Sequence, residues 1–281
     1  MPIPNLSPQI HLNVTNSLNE DIYSGDLTAQ LLPADKVVHA QVITREDAVL
    51  CGTQWFDGCF RPQDANCEIN WQAKDGDAIK AGQLLCEIRG KARALLTAER
   101  SALNLLQTLS GTATKTKQYV DAVAGINVKI MDTRKTLPGL RHAQKYAVRV
   151  GGGHNQRFGL YDGILIKENH IAAAGGIGAV LTQAFRLAKP DVSVQIEVEN
   201  LVQLEEALSS GAKLILLDNF DLAGLRAAVQ LTAKRAELEA SGGITLATLR
   251  EVALTGVDRI SIGALTKDVH AVDLSMRILP H

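Results

Sequence analysis

The residues most able to do chemistry sit where apolar runs end. The run 128–131 stops at Asp132-Thr133-Arg134-Lys135-Thr136, and Pro138-Gly139 then turn the chain. Lys and Arg are rarely buried unless paired or bound to an anion, so Arg134 and Lys135 at a strand end point to anion binding. The stretch Gly151-Gly152-Gly153-His154-Asn155-Gln156-Arg157 offers backbone amides that can approach a ligand closely, followed by a guanidinium. A third apolar run, 164–166, ends in Lys167-Glu168-Asn169-His170. Three chemistries are open to Lys167: an ion pair with Glu168 or Glu197, a Schiff-base amine, or an anion-binding ammonium. Gln195, Glu197 and Glu199 share one face of a strand by the two-residue period. Carboxylates facing a sheet interior require cations or a metal. The run 214–217 ends in Asp218, so Glu197 and Asp218 together suit a magnesium ion, directly or through water, or a ribose diol. The last two strands end in Ser241-Gly242-Gly243-Ile244 and Ser261-Ile262-Gly263-Ala264. Glycine turns opening onto helix N-termini form a phosphate site. Together these features fit a phosphorylated sugar substrate with magnesium.

A scaffold must gather these strand ends. The 281 residues allow two domains, or one large barrel with an addition. From residue 125 onward, strands are expected at 128–131, 163–166, 192–198, 214–217, 237–240 and 259–262. Helical patterns fall at 178–187, 201–208, 222–231 and 246–255. Such alternation means a parallel sheet with crossover helices. No Gly-x-Gly-x-x-Gly follows the first of these strands. Polar groups or glycines close every strand, which favours a barrel with its site at the C-terminal rim.

The first third reads differently. It is expected to be extended through His11, then helical over 12–23, with a short helix at 27–32. Strands are expected at 37–44, 48–51 and 67–71. The glycine turns of 74–85 resemble the hairpins of lipoyl and biotinyl carrier domains but lack their modifiable lysine, so they read as a β-sandwich element. A helix over 95–123, capped by Thr97 and broken at Gly111, carries an apolar stripe of Ala102, Leu105, Leu106 and Leu109. Arg100, Asn104, Gln107 and Gly111 form its polar stripe. That stripe is either a solvated face or the means of pointing Arg100 into a site.

A formal net charge of −1 argues against a general nucleic-acid or membrane-surface binder. No signal-like opening or membrane-spanning apolar run is present, and a cytoplasmic protein is expected. Cys51, Cys59, Cys67 and Cys86 form no Cys-x-x-Cys pair and read as reduced thiols.

The runs Ala98-Glu99-Arg100-Ser101-Ala102-Leu103-Asn104, Met131 to Arg141, Lys145 to Gly153, Leu165 to His170, Leu216 to Phe220 and Ser241 to Ile244 together resemble the quinolinate phosphoribosyltransferase family. The resemblance covers nearly the whole chain. It implies an α/β fold: an N-terminal α/β sandwich, residues 1–113, to which 270–281 return, and an incomplete, open TIM-like α/β barrel over 114–269. It implies a homodimer or higher homo-oligomer with shared active sites. The implied reaction joins quinolinate to phosphoribosyl pyrophosphate and releases nicotinate mononucleotide, pyrophosphate and carbon dioxide, with Mg2+. Arg100, Arg134, Arg157, Lys135 and Lys167 would bind the anions, with Thr133 beside them. Lys135, Lys167, Glu197 and Asp218 would be catalytic, with Glu197 and Asp218 on the metal or the ribose hydroxyls. Ser241, Gly242, Gly243 and Gly263 would cradle the 5′-phosphate. The family usually has His immediately before the arginine matching Arg157. Here Gln156 stands there, with His154 two positions earlier, and either could take that role. The alternatives are a related transferase acting on another pyridine or cofactor precursor, and a Schiff-base aldolase using Lys167.

Overall fold

The computed structural model describes residues 5–280. Packing divides them into two units, one of 5–117, Thr136–Gly152 and 265–280, the other of Gln118–Lys135 and Gly153–Ala264. The sequence grouped 114–269 together, whereas packing puts 114–117, 136–152 and 265–269 with the first unit.

The first unit is built on the antiparallel sheet β12-β1-β5-β3: β1 (Val37–Thr44), β3 (Glu68–Trp71), β5 (Leu84–Lys91) and β12 (Leu274–Ile278). A two-stranded sheet, β2 (Ala48–Val49) with β4 (Ala78–Ile79), adjoins it in sequence. Val38, Ala40, Val42 and Thr44 alternate inward along β1, as one buried face of a sheet demands. Val38, Ala40 and Val42 join a core with Trp55, Phe56, Phe60, Leu95, Leu106 and Leu109. Its helices are α1 (Ser7–Ile22), α2 (Thr53–Phe60), most of α3 (Ala92–Ala122) and α4 (Arg141–Val150).

Several expectations change here. Residues 7–11 are helical rather than extended, because Pro8 sits in the first turn, where its missing N–H costs nothing. The start of the expected extended segment, residues 1–4, lies outside the described residues. The short helix at 27–32 is a 3-10 turn, Ala29–Leu31, held by Asp26 accepting from the Ala29 amide at 2.9 Å. Thr97 is no cap. The helix begins five residues earlier, and the Thr97 hydroxyl donates to Asp26 at 2.8 Å. Gly111 does not break α3. A Cβ there would lie 1.9 Å from the His270 carbonyl oxygen, so glycine admits that backbone. Helix α2 was missed; Asp75 accepts from the amides of Gly52 and Thr53 at its N-terminus, at 3.0 and 3.1 Å. That fixes the 74–85 turns as structure. All four cysteines are free, and burial pushes the Cys59 thiol up to about 12.

The second unit is a six-stranded parallel sheet in the order β6-β11-β10-β9-β8-β7. Its strands are β6 (Lys129–Met131), β7 (Gly163–Ile166), β8 (Ser193–Val198), β9 (Leu214–Asp218), β10 (Glu237–Ser241) and β11 (Arg259–Ser261). Helices α6 (Ile177–Leu187), α7 (Leu201–Ser209), α8 (Leu222–Thr232) and α9 (Leu246–Ala253) are the crossovers. A short helix, α5 (Glu168–Ala174), follows β7, and α10 (Ala264–Lys267), which follows β11, belongs to the first unit from residue 265 onward. α5 buries no residue, which left no apolar stripe for the sequence to reveal. Ile196, Val198, Ile215, Leu217, Leu238 and Ala240 are buried on one face, and Leu204, Leu225 and Leu249 from the helices are buried as well. The other face carries Gln195, Glu197, Asp218, Glu239 and Ser241.

The sheet is not closed: β6 and β7 are its two ends. It is nonetheless rolled. Four strand spacings of roughly 4.8 Å separate β6 from β8 in a flat sheet. Yet the Gln156 amide, just beyond the outer edge of β6, lies 3.3 Å from Gln195 on β8. That outer edge is covered by the 153–157 segment, where His154 donates to Ile130 at 2.8 Å and accepts from Asp132 at 3.0 Å. No helix among the described residues is long and apolar enough to cross a membrane.

Candidate active site

The concave face of the second unit collects most of the residues the sequence singled out. At the end of β6, Asp132 is fully buried. Its two oxygens accept from Asn155 Nδ2 at 2.7 Å and from the Gln156 amide at 2.8 Å. Buried carboxylates need such donors. Asp132 thus welds the 153–157 segment to the strand that carries Thr133, Arg134 and Lys135. The Thr133 hydroxyl accepts from the Lys135 amide at 3.0 Å and turns the chain there.

Arg157 leaves that welded segment and donates to the Gly163 carbonyl at 2.9 Å. Burial and the neighbouring Arg134 guanidinium push its pKa below the ordinary arginine value, with Asp162 opposing. Arginine stays charged regardless. The two half-buried guanidiniums are near enough to repel each other, so an anion placed between them would be favoured. Lys167, at the end of β7, donates to Glu197 at 2.9 Å, with the lysine about half exposed and Glu197 largely covered. Of the three chemistries open to Lys167, the one seen here is the ion pair with Glu197. The Lys167 amide donates to His170 Nδ1 at 2.9 Å, which fixes the strand-to-helix turn.

Asp218 ends β9 and accepts from Asn219 Nδ2 at 2.8 Å. Asn219 adopts φ +56°, which Asn tolerates, and its amide donates to the Ser241 carbonyl at 2.9 Å. The ends of β9 and β10 are thereby joined. Gly242 has φ +114°, and a Cβ there would fall 2.2 Å from Asn219 Oδ1, so only glycine fits. The N-terminus of α9 is closed by its own Thr245–Thr248 capping box. The Ser241–Gly243 turn leads directly into that helix start. A Cβ on Gly263 would lie 3.2 Å from Lys135 Cδ and 3.8 Å from Thr133 Oγ1. The turns after β6 and β11 are thus neighbours.

One network went unread in the sequence. Glu239 on β10 is 1% exposed. Its carboxylate accepts from the Gln156 side-chain amide and, at 3.1 Å, from Gln195. Burial pushes its pKa up, opposed by hydrogen bonds from Gln195, Gln156 and Ser261 and by the Arg259 charge. The only sequence signal was the alternation Glu237-Leu238-Glu239-Ala240. No group of three or more His, Cys, Asp or Glu among the described residues is arranged to hold a metal ion. Arg100 belongs to the first unit, where it is exposed on α3.

Family models place this arrangement. The N-terminal domain of quinolinate phosphoribosyl transferase matches residues 26–110, and the C-terminal domain of the same enzyme matches 112–277. The chain belongs to the quinolinate phosphoribosyltransferase family. A probable nicotinate-nucleotide pyrophosphorylase [carboxylating] of Bacillus subtilis is 43% identical over 272 residues, covering 95% of this chain and 94% of the relative. The nicotinate-nucleotide pyrophosphorylase [carboxylating] of Mycobacterium leprae is also 43% identical, over 94% of this chain and 95% of its own. The solved nicotinate-nucleotide pyrophosphorylase from Francisella tularensis superposes with a TM-score of 0.94 at 44% identity, covering 99% of this chain and 98% of that one. Gln156 and His154, the two residues weighed for one role, are held differently. The Gln156 side-chain amide is committed to Glu239 and Gln195, while the His154 backbone bridges to Met131.

Proposed function

We infer that this protein transfers the phosphoribosyl group of phosphoribosyl pyrophosphate to quinolinate and decarboxylates the product. Nicotinate mononucleotide, pyrophosphate and carbon dioxide result, a step of NAD biosynthesis. The observation that carries the reading is the Arg134–Arg157 pair, two guanidiniums that repel each other beyond the end of β6 and in the segment that covers its edge, in a unit whose strand ends also carry Lys135 and Lys167. A dicarboxylate relieves that repulsion with bidentate contacts.

Arg134, Arg157 and Lys167 hold the quinolinate carboxylates, and Lys135, over Gly263, meets the phosphates of the second substrate. Ser241, Gly242, Gly243 and Gly263 cradle the 5′-phosphate, with Thr133 closing the turn. The ring nitrogen attacks the anomeric carbon while the bond to pyrophosphate breaks. Glu197 and Asp218 sit against the positive charge that grows on the ribose. The pyridinium formed then accepts the electron pair left when the adjacent carboxylate departs as carbon dioxide, and that carbon takes up a proton.

Glu197 and Asp218 supply hard oxygen donors but are too few to hold magnesium alone. They fit an ion that arrives largely liganded by substrate oxygens, directly or through water. When bound, magnesium supplies positive charge beside the departing pyrophosphate. The reading extends to a homodimer or higher homo-oligomer in which Arg100 of one copy completes the site of another, and to a reducing, cytoplasmic setting, supported by four free thiols.

The test is pyrophosphate release with phosphoribosyl pyrophosphate, magnesium and, separately, quinolinate, nicotinate or nicotinamide. Release with quinolinate alone, abolished by chelator, is expected. Equal release with nicotinate would transfer the chain to a related phosphoribosyltransferase activity. Full activity after exhaustive chelation would remove the metal.

A further inference from the structure

We propose that Glu239 is a positioning residue for quinolinate, acting through Gln156 on Arg157; this rests on reading Arg157 as a carboxylate-binding group. Glu239 never faces solvent, and both its oxygens meet the Gln156 side-chain nitrogen. That nitrogen also lies 3.3 Å from Gln195 Oε1, so its two hydrogens are both taken inside the sheet. None is left for a substrate. At its other end, Gln156 gives its main-chain amide to Asp132 at 2.8 Å. The residue is thus pinned at side chain and backbone, to β10, β8 and β6 at once. The next residue in the chain is Arg157, whose guanidinium reaches the Gly163 carbonyl. What Glu239 fixes is therefore the base from which Arg157 is presented.

The polarity of this network is one-sided. Glu239 faces two amide groups as an acceptor, and Gln195 both donates to Glu239 and accepts from Gln156. An uncharged glutamine at 156 holds its orientation only while position 239 accepts. Glu239→Gln keeps the shape but sets an NH2 against an NH2. Exchanging the two groups, in Glu239→Gln with Gln156→Glu, restores a donor facing an acceptor once Gln195 turns its amide over.

The experiment is steady-state kinetics on the full-length protein, with thermal denaturation of each variant. Glu239→Gln is expected to raise the quinolinate KM about tenfold, the loss of one buried hydrogen bond to a charged group. The phosphoribosyl pyrophosphate KM should stay unchanged, and the exchanged pair should regain most of the loss. Gln156→Met, which leaves Glu239 bonded to Gln195, should reproduce the quinolinate defect and serves if Glu239→Gln does not fold. Three results would overturn the inference: an unchanged quinolinate KM in both single variants, KM values for both substrates rising together with a lowered melting temperature, or no recovery in a folded exchanged pair. A wild-type protein that does not use quinolinate would sink the functional reading itself, and the positioning role with it. A quinolinate-active wild type that loses quinolinate in Arg157→Ala but not in Glu239→Gln would remove the positioning role alone.

Discussion

Lys167 joins two links of the argument at one residue. Its backbone ends β7 and is held by His170, while its ammonium is held by Glu197 at 2.9 Å. The ion pair is partly exposed, so it contributes only about 0–1 kcal/mol to stability. On the proposed reading, the pair aims a cation that is already in place when an anion arrives. Lys167→Ala should therefore lower kcat by roughly 10²–10³-fold, the usual cost of removing one preorganised group from developing charge. The melting temperature should barely move. A variant with near-normal turnover would show that the lysine has no part in the chemistry. At this scale the sequence was informative wherever a polar residue ended an apolar run, as with Lys135, Lys167 and Asp218. It was blind to Glu239 and to its pairing with Gln156, 83 positions away, which meets it only because the sheet rolls.

Among the elements, the parallel strands and their crossovers were legible to within a residue or two, because period-two and period-3.6 patterns have distinct physical origins. What escaped were features set by distant partners. Thr97 has the chemistry of a cap but spends its hydroxyl on Asp26. Gly111 has the chemistry of a helix breaker but sits inside a continuous helix against the His270 carbonyl. These two cases make a prediction about α3. On helix propensity alone, Gly111→Ala gains about 1 kcal/mol. A methyl placed 1.9 Å from a backbone oxygen forces the chain apart, and overpacking of that kind costs about 1–3 kcal/mol. Urea denaturation should show net destabilisation. A more stable variant would mean that the 265–280 segment yields easily and does not constrain α3.

For the whole molecule, the division of labour between the units becomes testable. The cationic strand ends all belong to the second unit, and Arg100 belongs to the first. If Arg100 reaches a carboxylate bound by another copy, its contact contributes about 1.5–3 kcal/mol, and Arg100→Ala weakens quinolinate use by roughly one to two orders of magnitude. Mixing Arg100→Ala subunits with Lys167→Ala subunits should then restore activity, since a mixed dimer holds one site with both defects and one with neither. Subunits that exchange and remain inactive would assign Arg100 to its own chain or outside the site. The central claim is that one site both transfers the phosphoribosyl group and decarboxylates quinolinate. Its most direct test is simultaneous measurement of pyrophosphate and of labelled carbon dioxide from carboxyl-labelled quinolinate. The account predicts equal amounts of the two, formed only when both substrates are present. Pyrophosphate released without carbon dioxide, or carbon dioxide released without phosphoribosyl pyrophosphate, would contradict it.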